Sequence, residues 1–215
     1  MSIEGSAGGN GVILGTAIFT APTLSMWLGP QLAGFGVAVR LEYLLYPLAF
    51  GLGAGVLAMV GTNIGAGKTA RAARIAWTAA ALAAGITGCI GLFGATLPDI
   101  WTSLFTNASD IHVLAAGYLL ITGGAYPFLG LGLTLASSFQ AAGRPLWPIV
   151  GITGRAVVVA VGGWIVVHLT STALGGLAVV AASGLIVYGA SLAIAFRAGL
   201  WQRPQALTLA AATKS

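Results

Sequence analysis

Residues 34–64 read GFGVAVRLEYLLYPLAFGLGAGVLAMVGTNI, a run with two ionisable side chains, Arg40 and Glu42, and no polar face. About 20 apolar residues are enough for a helix to cross the hydrocarbon of a bilayer, so this stretch spans it with length to spare. A soluble helix would show charged residues opposite an apolar stripe, and none are present. Working outward from this run, five more of the same kind give six expected helices. They lie at Gly11 to Gly29, Gly34 to Ile64, Ile75 to Leu97, Val113 to Gln140, Leu146 to Val167 and Leu174 to Phe196. Membrane-spanning strands are excluded, because these runs far exceed the 9 to 11 residues a strand needs and lack polar alternation. The expected fold is an all-α integral membrane bundle.

Composition agrees. The 215 residues are 58% hydrophobic and 6% charged, with a mean hydropathy of +0.97, whereas soluble domains carry roughly a quarter charged residues. A cytosolic enzyme, a disordered tail and a disulfide scaffold are thereby excluded. The calculated pI near 9.9 does not point to nucleic acid, since the basic residues punctuate apolar runs instead of clustering with polar or aromatic companions. Cys89 sits in an apolar run and reads as a small hydrophobe. Met1 to Asn10 carries Glu4 and no basic start, so no signal peptide is expected. No domain boundary is expected within 1–215, which reads as a single membrane domain. Residues 1–30 form an atypical start with a weak first helix interrupted by Pro22, and 204–215 form a cytoplasmic tail.

Sorting the connections by side gives an orientation. With the first helix starting inside, the inner connections hold Lys68, Arg71, Arg74, Arg144, Arg197, Arg203 and Lys214. The outer ones hold Asp99, Asp110, His112 and His168 and no Lys or Arg. The positive-inside rule then places both termini in the cytoplasm, and the plasma membrane is the expected location. Small residues at helical spacing, Gly51 with Gly55 and Gly61 with Gly65, are expected to mark close helix contacts. Pro47, Pro127 and Pro148 are expected to kink their spans.

Arg40, Glu42 and Arg155 are then the ionisable residues left within spans, each costing on the order of 2.5–3.5 kcal/mol at mid-bilayer even on lenient scales. Counting from Lys68 puts Glu42 about 39 Å along a straight helix, near the outer boundary, and counting from Arg144 puts Arg155 about 16 Å deep. On this arithmetic Arg155 and Glu42 are roughly 20 Å apart in depth and do not pair unless the helix bends strongly at Pro47. Glu42 is expected either to respond to protons or cations or to sit at the interface beside Arg40. Arg155 is expected to line a cavity. Tyr43, Tyr46, Tyr126, Trp164 and Gln140 are candidates to line a path for an amphipathic or cationic substrate, with packing or interface anchoring as the competing role.

Other motifs carry less. Gly61 to Thr69 resembles a phosphate loop, but Thr62 stands where glycine is needed and the segment ends a membrane helix instead of following a strand. Asn107-Ala108-Ser109 matches a glycosylation acceptor. His112 and His168 lie in different loops without an acid or Cys cluster, so neither a metal site nor a catalytic centre is expected, and the chain does not read as an enzyme.

The order of short motifs resembles the multidrug and toxic compound extrusion (MATE) transporters, specifically their carboxy-terminal six-helix half. The resemblance runs through Ala33-Gly34-Phe35-Gly36, Arg40-Leu41-Glu42, Val60-Gly61-Thr62-Asn63-Ile64-Gly65-Ala66-Gly67-Lys68 and Arg71-Ala72. It continues through Leu104-Phe105-Thr106, Gly117-Tyr118-Leu119, Ser137-Ser138-Phe139-Gln140, Ala142-Gly143-Arg144-Pro145 and Arg155. It begins at about residue 33. It implies antiport of organic cations and other amphipathic compounds against Na+ or H+, with no cofactor beyond the coupling ion. Carried over, Arg40 and Glu42 match the family's Arg-x-Glu position and are the candidate coupling residues, and Arg155 matches its eleventh-helix arginine. Arg155, with Tyr126 and Gln140 from their residue types, is a candidate cavity-lining residue. One half implies a missing second lobe, supplied by another chain or by a second copy. The expected partners are the bilayer, a small-molecule substrate and that lobe, and no nucleic acid. A truncated or interacting membrane protein without transport activity, and a lipid-linked oligosaccharide flippase, are the competing readings.

Overall fold

Glycine decides where the helices stop. In the computed structural model, which describes residues 30–169 and 173–202, three helices end in the same way. Gly67, Gly143 and Gly199 each take a positive φ, of 71°, 70° and 76°, which residues with a Cβ rarely adopt. The next residue's N–H then reaches five residues back, from Lys68 to Asn63, Arg144 to Phe139 and Leu200 to Ala195. This is the Schellman termination, which satisfies carbonyls that would otherwise be orphaned.

The elements are α1 (Pro30–Gly65), α2 (Thr69–Thr96), the short α3 (Pro98–Thr102), α4 (Ser109–Gly123), α5 (Tyr126–Ala141), α6 (Leu146–Leu169) and α7 (Ala173–Arg197). All regular structure among the described residues is helical. Five of the six expected spans are present, with ends close to those read from sequence. The first, Gly11 to Gly29, lies outside the described residues. Among the described residues, four helices are long and apolar enough to cross a membrane on their own.

The run expected as one helix from Val113 to Gln140 is instead a bent pair, α4 and α5, turning by 52° at the break. Pro127 has no N–H to donate to Gly123, so the ladder fails there and Pro127 serves in the first turn of α5. Pro148 likewise falls in the first turn of α6, where a missing N–H costs nothing. Among the described residues only Pro47 lies inside a helix beyond its first turn, in α1.

The helices pack as a core of α1, α2, α4 and α5. α7 lies against α4 and α5, while α6 packs chiefly on α7 and has little backbone contact with α5. The basic ends gather at one end of the bundle. Trp77 near the start of α2 meets Phe196 at the end of α7, and Arg144 Nη2 donates to the Gln202 carbonyl at 3.2 Å. At the opposite end Trp101 Nε1 donates to Val37 O, and His112 bridges the Thr102 hydroxyl and the Thr106 carbonyl. Leu92, Val113, Leu120 and Ile194 are exposed, as a lipid-facing surface requires.

Close contacts fall at glycines other than those expected. No described residue would meet a Cβ on Gly51, Gly55, Gly61 or Gly65. The tight approach is between α2 and α4, where a Cβ on Gly91 would strike the Gly123 carbonyl and one on Gly123 the Gly91 carbonyl. Periodicity alone gave no way to tell a glycine facing a helix from one facing away. Gly91→Ala and Gly123→Ala are expected to lower stability by about 1–3 kcal/mol through overpacking, read as loss of thermal stability in detergent. Gly117→Ala, which meets no described neighbour, is expected to leave it unchanged or raise it by up to about 1 kcal/mol.

Candidate functional site

Glu42 and Tyr46 lie four apart on α1 and therefore share a face. Tyr46 donates its hydroxyl to Glu42 Oε1 at 3.3 Å. Arg155, in the middle of α6, closes a triangle. Its Nη1 donates to the Tyr46 hydroxyl and its Nη2 to Glu42 Oε1, both at 2.9 Å. The Glu42 side chain is 8% exposed and that of Arg155 26%. The expectation that these two residues do not pair is therefore wrong. It placed backbones on straight parallel axes and ignored side chains several ångströms long, with Pro47 interrupting the α1 ladder one turn beyond Glu42. It also underweighted energetics, since a buried charge left alone costs several kcal/mol and finds a partner.

Both contacts to Glu42 fall on Oε1. Oε2 holds no hydrogen bond to a described residue. The Arg155 stem runs past Gly184 of α7, where a Cβ would meet its Cγ at 3.3 Å. The absent side chain there leaves room for the arginine to reach α1.

Phenols surround the pair. Tyr118 on α4 and Tyr126 at the head of α5 are buried and within electrostatic range of Glu42. Tyr188 on α7 is buried and within range of Tyr46 and Arg155. The Tyr126 hydroxyl is buried beside Thr122, whose own hydroxyl donates to the Tyr118 carbonyl at 2.9 Å, and it closes no hydrogen bond of good geometry to a described residue. Such groups cost about 1–3 kcal/mol and are rare outside strained or functional positions. Tyr188 was missed in the sequence. Its one signal is a lone polar aromatic within an apolar helix, and its ring fills the space left by Gly132 and Gly151.

The remaining candidates separate. Arg40 forms no ion pair with Glu42, and its guanidinium lies over the Phe105 ring at 4.8 Å. Gln140 is exposed at the far end of α5, about 20 Å along the helix from Tyr126. Tyr43 is half-exposed, and Trp164 is exposed and stacked on His168. His112 is held by Thr102 and Thr106, with Asp99 at 3.7 Å. No group of His, Cys, Asp and Glu suited to a metal ion occurs among the described residues.

An apolar helical bundle holding a partly buried ion pair within its spans, with a broken helix beside it, defines a polytopic membrane protein. Family comparison makes this particular: the MatE family model matches residues 23–165, and the chain belongs to that family. A solved structure, the MATE transporter ClbM in complex with Rb+, superposes with a TM-score of 0.79 at 22% identity. The superposition covers 93% of this chain and 45% of that one, so the chain spans less than half the length of the structure it matches. No curated protein matches the chain.

Arg155→Ala is expected to destabilise the protein by on the order of 3 kcal/mol, because it strands the buried Glu42 charge. The double variant Glu42→Gln with Arg155→Gln is expected to lose clearly less than the sum of the singles in thermal melts. Additive losses would remove the pair from the account of stability.

Proposed function

We propose that the chain forms one lobe of a MATE-type transporter that exports organic cations and other amphipathic compounds in exchange for H+ or Na+. Glu42 is the coupling carboxylate and Arg155 its internal counter-cation. The observation that carries this reading is the partly buried Arg155–Glu42–Tyr46 triangle within the spans, with its carboxylate buried. A proton or metal cation arriving at Glu42 neutralises the charge that holds the guanidinium, so ion binding weakens the link between α1 and α6. The Tyr126 hydroxyl and the rings of Tyr46, Tyr118 and Tyr188 surround the pair as a donor and π surfaces that a cationic guest would meet once the packed helices part. Arg40 serves as an anchor on Phe105 two residues from Glu42, and its part in coupling runs through the position of α1.

Alternating access rocks one bundle against another around a site near the midplane, so this lobe works with a second one. That lobe is a separately encoded chain or another copy of this one in the same orientation. The basic end, with Lys68, Arg71, Arg74, Arg144 and Arg197, faces the cytoplasm of a plasma membrane under the positive-inside rule.

Reconstitution with the complementary lobe, or as a dimer, is expected to give efflux of an organic cation driven by a proton or sodium gradient. Glu42→Gln is expected to cut the gradient-driven rate by more than about tenfold, a loss of at least about 1.4 kcal/mol of coupling. Arg40→Ala is expected to cut it less. Absence of flux in every assembly would favour a non-transporting membrane protein, and movement of lipid-linked sugar in place of organic cations would favour a flippase.

A further inference from the structure

At the basic end of the bundle an open groove of about 670 Å³ lies between α1 and α2, lined by Met59, Arg71, Arg74, Ile75, Thr78 and Ala79. The α2 residues follow a helical stripe, so they share one face. Their order matters: two guanidiniums stand at the end of the span, then Ile75 and the Thr78 hydroxyl, then Ala79, with Met59 opposite. The helix rises about 12 Å from Arg71 to Ala79. Both arginines are exposed, and neither side chain is bonded to a described residue. No described acid neutralises them. Of the four acids in the sequence, Glu42 holds Arg155, Asp99 and Asp110 stand at the opposite end, and Glu4 lies outside the described residues.

We propose that this groove binds an anionic phospholipid. Its phosphodiester is held by Arg71 and Arg74, and an acyl chain lies along Met59, Ile75 and Ala79. Guanidinium is the side chain best shaped for phosphate, presenting paired donors to paired oxygens. The groove begins where two spans end, at α1 Gly65 and α2 Thr69, and therefore at headgroup depth. A free phosphate would use the arginines and gain nothing from the apolar floor. A zwitterionic lipid would gain the floor and bring a choline into the same basic field. The gradient from charge to apolar surface over about 12 Å suits a molecule with both properties.

The test uses the full chain in nanodiscs, with retained lipid counted by native mass spectrometry in mixtures of phosphatidylglycerol and phosphatidylcholine. Preferential retention of phosphatidylglycerol is expected. Arg71→Gln is expected to weaken it about fivefold and the double Arg71→Gln, Arg74→Gln variant about thirtyfold, while Arg197→Gln, the same charge change at the same end, is expected to leave it within about twofold. Equal loss in the Arg197→Gln variant would overturn the site in favour of diffuse surface charge. Full displacement by millimolar glycerol phosphate would overturn it in favour of a soluble-anion site. A photoreactive residue in place of Met59 gives an arm that keeps both arginines intact. Cross-linking to phosphatidylglycerol supports the proposal, and capture of another polypeptide in its place overturns it.

Discussion

The ion pair between Arg155 and Glu42 is the constraint around which the rest of the bundle is arranged. In a chain with so few charges, a carboxylate and a guanidinium carried into the spans have no surface water in easy reach, and each is costly without the other. Their attraction is therefore also a geometric requirement. It draws the middle of α6, whose backbone packs chiefly on α7, toward α1. Gly184 is small where the arginine stem passes, and Tyr46 stands one turn from Glu42 to bond both partners. The α6–α7 hairpin is thus fastened to the body of the lobe by a polar contact as well as by apolar packing.

The same demand, that polar groups find partners within the protein, explains the remaining hydroxyls and the helix ends. Thr87, Thr122, Thr134 and Ser138 are buried, and each bonds a carbonyl one turn back on its own helix. They are polar in composition and self-contained in structure. At the basic end the three Schellman turns close off terminal carbonyls, and a cluster of Trp77, Phe139, Trp147, Phe196 and Trp201 packs beside them. Aromatic rings with polar edges suit that depth. The Tyr126 hydroxyl departs from this economy, which is why it belongs with the candidate site.

How much was legible follows from which kind of information each feature needs. Apolar runs of span length are a one-dimensional property, so α1, α2, α6 and α7 were readable to within a few residues. The gathering of Lys68, Arg144 and Arg197 at one end follows from counting spans. The 52° break at Pro127 was signalled by that proline and by the Gly123-Gly124 pair, but an apolar run hides a break because both halves look alike to a hydropathy reading. Glu42 and Arg155 were found as isolated charges, and their partnership was missed because depth counted along an axis carries no information about tilt, about curvature near Pro47 or about the reach of an arginine. Gly51 and Gly55 against Gly91 and Gly123 make the same point for packing: spacing identifies a face, and only the tertiary arrangement says what the face meets.

The arrangement has a consequence for the proposed coupling that follows from the charges themselves. With Glu42 ionised, the pair is neutral as a unit and the link from α1 to α6 holds. Once Glu42 is protonated or bound to a metal cation, Arg155 is left as an uncompensated cation in a low-dielectric bundle, and its charge cannot be discharged at any ordinary pH. The cost is relieved only by movement: α6 shifts, water enters beside Oε2, or an anionic or π-rich group replaces the carboxylate. Under the proposed coupling, ion binding at one carboxylate would be converted into force on a helix pair, with no second acid in the described spans taking part. A lobe built this way needs no carboxylate-rich cation cage to respond to ions, because the arginine supplies the opposing charge that such a cage would otherwise have to expel.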